Sequence, residues 1–569
     1  MFFNVRVGVA YPAKNFVFHS FFRLTVKVAW IATQAAASSP GSWQNSGMSP
    51  VIILCTLNAK YIHASLGLRY LLANMRQHGG VGLRERTVLR EFTIARPVPE
   101  IVSVLLADLG DPVDGAPQII GFGVYIWNVV QTTEVVRQLK QARPTLKIIL
   151  GGPEVSYEWE DQAIVRLADY LITGWGDVSL PKLCSALLHG PQPLMKVIPG
   201  EQPPLAEIDL PYAEFNADDL AHRLLYVEAS RGCPFKCEFC LSSLDRTAWA
   251  FEQERFLAAL EMLYLRGARN FKFVDRTFNL KIDSSLTILQ FFLDRLTPDL
   301  FLHFEVIPDH LPERLKEMIA RFPPGVLQFE VGIQTFNPAV QQAISRRQDN
   351  EKTCENITWL VNHSHAHLHT DLIFGLPGET LASFGEGFDR LHALGPHEIQ
   401  LGLLKRLRGT PIARHSAAYG MDYDVEPPYT ILQTDAVDAL TVQRFTRLAR
   451  YWDLLANSGR FPQTLPVLLD GPSPFAAFLA FSDWLWLRTG QTSRLTPETL
   501  LDALFDYLTS VIGRAHDSVR QTLFVDYRSS GARANPACLE GLLKDREKPV
   551  PRAARALVQR QDRHVSVGE

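Results

Sequence analysis

Cysteine is scarce in this chain of 569 residues, with seven in all. Neither sign of charge prevails, since 57 Lys and Arg stand against 60 Asp and Glu for a formal net charge of −3. That near balance leaves no overall basic footprint, so nucleic acid is not expected as an obligatory partner. Four cysteines, Cys55, Cys184, Cys354 and Cys538, stand alone. Their isolation excludes a disulfide framework and suits a reducing, cytoplasmic compartment. No apolar run is long enough for a membrane helix, and no membrane partner is expected. The first 47 residues hold Arg6, Lys14, Arg23 and Lys27 but no Asp or Glu, and close on a Ser- and Gly-rich run at 37–42. Such a composition imitates a transit or signal segment. Met48-Ser49-Pro50 leads straight into an apolar strand, so Met48 reads as the natural start and residues 1–47 as a disordered start-site extension.

What is present is 47% apolar and 21% charged residues, a globular composition. The length allows three or four domains of about 150 residues each. The other three cysteines fall together in Glu228-Ala229-Ser230-Arg231-Gly232-Cys233-Pro234-Phe235-Lys236-Cys237-Glu238-Phe239-Cys240, directly after the apolar run Leu224–Val227. Thiols at C-x3-C-x2-C spacing are too close to be separate structural cysteines, but they can converge on one metal centre. A cubane iron-sulfur cluster normally takes four cysteine ligands, and no fourth lies nearby in the sequence. The set fits a [4Fe-4S] cluster with one iron left open. Gly232 lets the loop turn, Pro234 stiffens it, and Phe235 and Phe239 can shield it from water. A tetrahedral zinc site or three buried thiols are the alternatives, although zinc more usually shows paired C-x2-C knuckles.

Residues 48–190 alternate strand and helix, which predicts a Rossmann-like, doubly wound α/β domain with ligands beyond the carboxyl ends of its strands. Asn58, Tyr125, Asn128, Gly151, Gly152, Ser156 and Gly174 stand at those ends. The glycines there suit either a backbone approaching a large ligand or tight connections without one. Residues 191–218 are Pro-rich and read as a linker. From 219 to 415, six strands alternate with helices: 224–230, 271–275, 301–307, 326–334, 368–374 and 398–404. That order predicts a partial, six-stranded TIM-like barrel with its chemistry at the C-terminal strand ends. Asp275, Glu305, Glu330 and Gln334 are costly in a barrel interior unless they bind something. Asp309 reads as a helix N-cap. His363, His365, His367 and His369 alternate, and a strand spreads such residues by roughly 7 Å, so they read as strand-entry residues and not a metal site. Residues 416–545 read as a helical domain, with Phe478, Phe481, Trp484 and Trp486 in its core, and 546–569 as a charged tail.

The cysteine loop, with Phe239 before its last cysteine, resembles the signature of the radical S-adenosylmethionine (SAM) superfamily. Phe329–Thr335 (FEVGIQT) and Asp371–Thr380 (DLIFGLPGET) resemble that superfamily's motifs at later strands. The preceding α/β domain resembles the cobalamin-binding domain of cobalamin-dependent radical SAM proteins. The C-terminal part is similar to an uncharacterised tail in one bacterial cobalamin-linked subgroup. These resemblances imply a [4Fe-4S] cluster, SAM, cobalamin and a low-potential electron donor of flavodoxin or ferredoxin type. They place Phe239, Asp275, Arg276 and Asn279 around SAM, with Glu305, Glu330 and Gln334 near its ribose and Arg346 or Arg347 at its carboxylate. For cobalamin they point to Asn58, Tyr125, Asn128, Gly151, Gly152, Ser156 and Gly174. His63 lacks both the Asp and the Gly of the D-x-H-x-x-G motif and is not assigned to cobalt. G-G-E is missing at the second barrel strand, and Gly174-Trp175-Gly176-Asp177 stands where relatives show G-E-G-E. C-methylation of an unactivated carbon is the leading implied reaction, ahead of radical cyclisation or rearrangement. A single-cluster electron-transfer protein is the alternative from another class.

Overall fold

Apolar, β-branched runs build two six-stranded parallel sheets, each in its own compact unit. The computed structural model describes residues 51–112, 116–530, 532 and 535–543. The extension expected over 1–47 and the tail expected over 546–569 lie outside the described residues. One unit comprises residues 51–61 and 67–202, and the other comprises 62–66 and 203 onward.

The strands of the first unit are β1 Ile52–Asn58, β2 Thr87–Thr93, β3 Ile119–Gly123, β4 Lys147–Gly151, β5 Tyr170–Thr173 and β6 Val197–Pro199. All pair in parallel, in the order β2-β1-β3-β4-β5-β6. In β1, Ile52 and Leu54 pack with Leu68, Leu72 and Met75 on one face. Ile53, Cys55 and Leu57 pack with Ile101, Leu105, Val135 and Val136 on the other. Burial of both faces is why the run is continuously apolar and does not alternate with polar residues. The strand order reverses between β1 and β3, which opens the ligand crevice of such sheets at their carboxyl ends.

The stretch expected to be a linker is structured. Val197–Pro199 pairs with β5, as Leu171↔Val197 and Ile172↔Ile198. Proline is tolerated there because β6 is an edge strand. Pro204 and Pro211 lie at the starts of two 3-10 turns, and Leu205, Ile208, Tyr212 and Phe215 are buried. A proline count alone does not separate a mobile spacer from packed turns.

In the second unit, β7 Leu225–Val227 is followed by a small antiparallel hairpin, β8 Ser230–Arg231 with β9 Trp249–Ala250. Then come β10 Asn270–Phe273, β11 Phe301–Val306, β12 Leu327–Gln334, β13 His367–Phe374 and β14 Glu398–Leu403. The large sheet is parallel and ordered β14-β13-β12-β11-β10-β7, the six strands read from the sequence. Phenylalanines pack across its strands and the turn after β10: Phe273 and Phe278 lie 4.5 and 4.0 Å from Phe304 between ring centroids. Asp309 caps no helix; Pro312 precedes the helix Glu313–Ile319, while the Asp309 carboxylate accepts the Asp349 amide at 2.9 Å.

Open sheets need their edges covered. Residues 62–66 run beside β7, with Leu224 donating its amide to Ile62 and His63 Nδ1 2.6 Å from the Tyr226 hydroxyl. The helix Ala439–Leu455 covers β14: Trp452 Nε1 and Asn457 Nδ2 donate to the Ile399 carbonyl at 3.0 and 2.8 Å. Phe445 stacks on Phe374 at 4.0 Å. The helical C-terminal part is thus packed into the same unit as the sheet. Phe478 and Phe481 are core residues, whereas Trp484 and Trp486 are half-buried beneath Arg488 and Arg447.

Candidate functional site

The cysteine loop springs from the carboxyl end of β7 and is fastened from several elements. Its start is clamped by Asp275, whose carboxylate accepts the Ala229 amide at 2.9 Å and the Ser230 hydroxyl at 2.6 Å. Gly232 adopts φ +84°, and a Cβ there would stand 2.6 Å from Thr247 Oγ1, so the turn requires glycine. Cys233 donates its amide to the Asp245 carbonyl at 2.9 Å. Further along, the Glu238 amide donates to Ile344, and the Glu238 carbonyl accepts the Ile412 amide, both at 3.0 Å.

Glu238 is 4% exposed. It accepts from the Ser345 hydroxyl and Arg414, and its other oxygen lies 2.8 Å from His415 Nε2. Phe239 packs against an apolar cluster that includes Val340, Ile344, Ile412 and Ile431. The sequence reading missed Glu238 as an anchor. Its partners lie more than a hundred residues away and carry no local signal.

Cys233 is buried, while Cys237 and Cys240 are half-buried. Burial pushes the Cys233 thiol up to about 11 and raises that of Cys237, against the opposing charge of Arg346. Loading a metal centre must therefore expel protons. Arg346 lies 3.7 Å from Cys237 Sγ, and the charge of Arg276 acts on Cys233. Three thiols under two guanidiniums fit an anionic cluster held by three thiolates. The remaining cysteines are elsewhere: Cys55 and Cys184 are core residues of the first unit, Cys354 neighbours Arg390 and Cys538 neighbours Asp502.

The residues expected around SAM separate into groups. Arg276 and Glu305 form a two-pronged ion pair at 3.0 and 2.9 Å. Arg346 also donates to the Gly332 carbonyl, next to the bulge at which Gln334 takes φ +71° and folds over Gly332. Arg346, and not Arg347, is therefore the guanidinium at the cysteine loop. It lines an open cleft of about 640 Å³ together with Asp309, Gln341 and Arg347.

Two expected contacts are spent inside the fold. Asp275 is 3% exposed and holds the loop as described, and burial pushes its carboxyl up to about 7. Asn279 is fully buried, donating to the Ile307 and His310 carbonyls and accepting the Ile307 amide. Its side chain stands in for backbone pairing where β11 ends, so no polar atom is left for a ligand. Glu330 faces the barrel interior among histidines, 3.1 Å from His303 Nε2 and 3.5 Å from His369 Nδ1. Burial opposes ionisation of Glu330, yet hydrogen bonds to those histidines hold its carboxyl well below the usual range.

The four alternating histidines do not behave as one set. His363 and His365 are exposed. His367 and His369 face inward with ring centroids 5.0 Å apart, and their nitrogens and a Glu398 oxygen all lie within 4.8 Å of one another. Their reading as mere strand-entry residues overlooked a carboxylate supplied by the neighbouring strand.

Glu379, just beyond β13, is 2% exposed and accepts the Thr335 hydroxyl. Burial pushes its carboxyl up from 4.5 to about 7. Between those values the folded chain keeps a proton that the unfolded chain releases, so stability falls as pH rises through this window. The full difference is about 3 kcal/mol. Glu379→Gln is expected to remove that loss. Relative to wild type, its melting temperature should rise from pH 4.5 to pH 8, and a constant difference contradicts this.

In the first unit, Asn128 is 1% exposed and ties strand ends together. Its amide donates to Thr56, Leu57 and Gly123 and accepts from Tyr125. It is a scaffold residue, not an open ligand contact. Asn58 donates to Glu91, which pairs with the buried Arg69. Tyr125 stacks on Trp127 at 4.5 Å. Gly152, at φ +109°, passes so close that a Cβ would stand 2.5 Å from the Val124 carbonyl. The Ser156 hydroxyl donates to the Gly152 carbonyl and accepts the Gly174 amide, and the space beside Gly174 is open. These small residues and backbone amides gather at the carboxyl ends of β4 and β5, the side of such sheets where large ligands bind, and they fit a ligand edged with amides such as cobalamin.

Family models match both parts of the chain. Residues 227–391 match the Radical SAM superfamily and residues 53–183 the B12 binding domain. This chain is a radical SAM protein with a B12-binding domain. Residues 417–565 of this radical SAM protein match a family described as a protein of unknown function (DUF4080). The domains imply a [4Fe-4S] cluster, SAM and cobalamin as cofactors.

Among curated proteins, it is 24% identical over 342 residues to the cobalamin-dependent radical SAM methyltransferase TokK of Streptomyces tokunonensis, covering 53% of this chain and 49% of TokK. It is also 24% identical over 316 residues to the 2-(S-pantetheinyl)-carbapenam-3-carboxylate methyltransferase of Streptantibioticus cattleyicolor, covering 50% and 46%. The chain thus spans about half the length of these relatives. The solved cobalamin-dependent SAM radical enzyme OxsB shares the fold with a TM-score of 0.53 at 13% identity, over 84% of this chain and 79% of that one. TsrM from Kitasatospora setae, with cobalamin and a [4Fe-4S] cluster bound, gives 0.50 at 16% identity, over 67% and 78%. Among the described residues no helix is long and apolar enough to cross a membrane.

Proposed function

We propose that this radical SAM protein is a cobalamin-dependent methyltransferase that C-methylates an unactivated carbon. The observation that carries the reading is a loop of three thiols at the carboxyl end of a six-stranded parallel sheet, under Arg346, in one chain with a B12-binding domain. When bound, the reduced cluster supplies the electron that cleaves SAM to a 5′-deoxyadenosyl radical, and cobalamin supplies a methyl carrier. The protein's own residues bind, orient and exclude water. Cys233, Cys237 and Cys240 hold the cluster, and Phe239 seals the loop against the apolar cluster beneath it. Arg346 suits the SAM carboxylate, and the Arg276–Glu305 pair presents a fixed polar edge nearby. Asp275 and Asn279 position the loop and the end of β11 and touch no ligand. Gly151, Gly152, Ser156 and Gly174 offer backbone and hydroxyl contacts to cobalamin. A flavodoxin or ferredoxin in the cytoplasm is the fitting electron donor.

Arg346→Ala is expected to leave iron content unchanged and to weaken SAM binding about 10- to 100-fold, the worth of a charged hydrogen bond of about 1.5–3 kcal/mol. Equilibrium binding of SAM to the reconstituted protein checks this, and unaltered affinity contradicts it. Methylation itself is tested with SAM carrying a labelled methyl group, incubated with the reduced holoprotein and a metabolite extract. Label in a new carbon-bound methyl supports the reading. 5′-Deoxyadenosine formed without any labelled product contradicts it.

A further inference from the structure

We propose that this protein has a second metal centre, a divalent transition-metal site formed by His367, His369 and Glu398 at the N-terminal end of β13 and β14. The register builds it. His369 lies opposite Glu398 across the two strands, and His367 shares its face two residues earlier. Glu398 Oε1 is 3.3 Å from His369 Nε2 and 3.8 Å from His367 Nε2. Ligands around a tetrahedral ion with bonds of about 2.0 Å stand about 3.3 Å apart, which the Glu398–His369 edge already matches, and the other separations, all within 4.8 Å, shorten as the side chains turn onto the ion. Two imidazoles and one carboxylate form a donor set that takes zinc or ferrous iron.

The surroundings are those of a metal ligand. A metal-bound histidine usually has its second ring nitrogen held by an outer group, most often a carboxylate. His369 Nδ1 is 3.5 Å from Glu330, and the Gln400 and Gln328 side-chain amides at 3.1 and 3.2 Å accept from Nδ1–H once turned to present their oxygens. The other nitrogen, Nε2, is buried and makes no hydrogen bond, although it faces Glu398. Glu398 is 1% exposed, and the Glu330 side chain 12%. Glu330 and Glu398 flank His369 at 3.5 and 3.3 Å, and one divalent ion there would balance both carboxylates.

The place in the fold indicates a structural ion. The cysteine loop lies at the carboxyl ends of the barrel strands, whereas residues at the amino ends serve stability. Ile399, next to Glu398, is where Trp452 and Asn457 of the C-terminal helices dock. The ion would clasp β13 to β14 beneath that junction.

The test is made on the full chain with its cluster reconstituted anaerobically, equilibrated with zinc(II), desalted and analysed for elements. One zinc per chain beyond the cluster iron is expected. X-ray absorption at the zinc edge of the unmutated protein should show two imidazole nitrogens and one carboxylate oxygen at about 2.0–2.2 Å. This measurement stands even if a variant misfolds. Zinc should persist when Cys233, Cys237 and Cys240 are all replaced by alanine, and in the exposed variant His365→Gln. It should be lost in His369→Gln and Glu398→Gln, and bind about 10- to 100-fold more weakly in Glu330→Gln. No zinc retained by the wild type, zinc that leaves with the cysteines, or a sulfur-ligated absorption spectrum overturns the proposal. None of these outcomes depends on methyl transfer.

Discussion

Replacing Cys237 by alanine is expected to reduce 5′-deoxyadenosine formation to the level seen without protein, and to abolish the visible absorbance of the reconstituted cluster. Three thiols are all that the loop offers, and the other four cysteines are committed elsewhere. Two thiolates do not hold a cubane whose fourth iron is already left open. The variant should still fold, because the loop is fixed through backbone amides and Glu238. Retained melting temperature with lost iron is therefore the expected pair of results. An unchanged product yield in Cys237→Ala sinks the assignment of the cluster to this loop.

Glu238→Ala should also cost the cluster, by a different route. Glu238 lies between two of the cysteines, and its buried carboxylate gathers Ser345, Arg414 and His415. Its removal takes the carboxylate from His415, Ser345 and Arg414 and leaves the backbone bond from Ile412 as the tie between the loop and the turn at Pro411–His415. Breaking a buried pair costs about 3–5 kcal/mol. The Arg414 side chain is 62% exposed and recovers hydration, so the lower end, about 3 kcal/mol, applies here. Iron per chain after reconstitution and the melting temperature should both fall, with Glu238→Gln intermediate. Full iron content and unaltered melting in Glu238→Ala show that the carboxylate does not anchor the loop.

The large sheets were legible because their strands are apolar segments bounded by turns, nearly continuous in Ile52–Asn58 and alternating with polar or small residues in Leu327–Gln334. The cysteine loop was legible from spacing alone. The uses of individual polar side chains were not. Asp275 and Asn279 sit where a ligand contact is expected, but each satisfies backbone groups that only the folded chain brings near. The same holds for Asn128 in the first unit. β6 was hidden by flanking prolines, which an edge strand tolerates. His367 and His369 looked harmless along one strand. Glu398, on the next strand, changes what they can do.

The most direct test of the central claim is to incubate the reconstituted protein anaerobically with SAM, hydroxocobalamin and a low-potential reductant. Cobalamin absorbance is then read after desalting, and 5′-deoxyadenosine is read in the filtrate. Stoichiometric cobalamin retention together with 5′-deoxyadenosine that depends on the cluster is the predicted result. A protein that takes up iron and sulfide but never cleaves SAM contradicts the account.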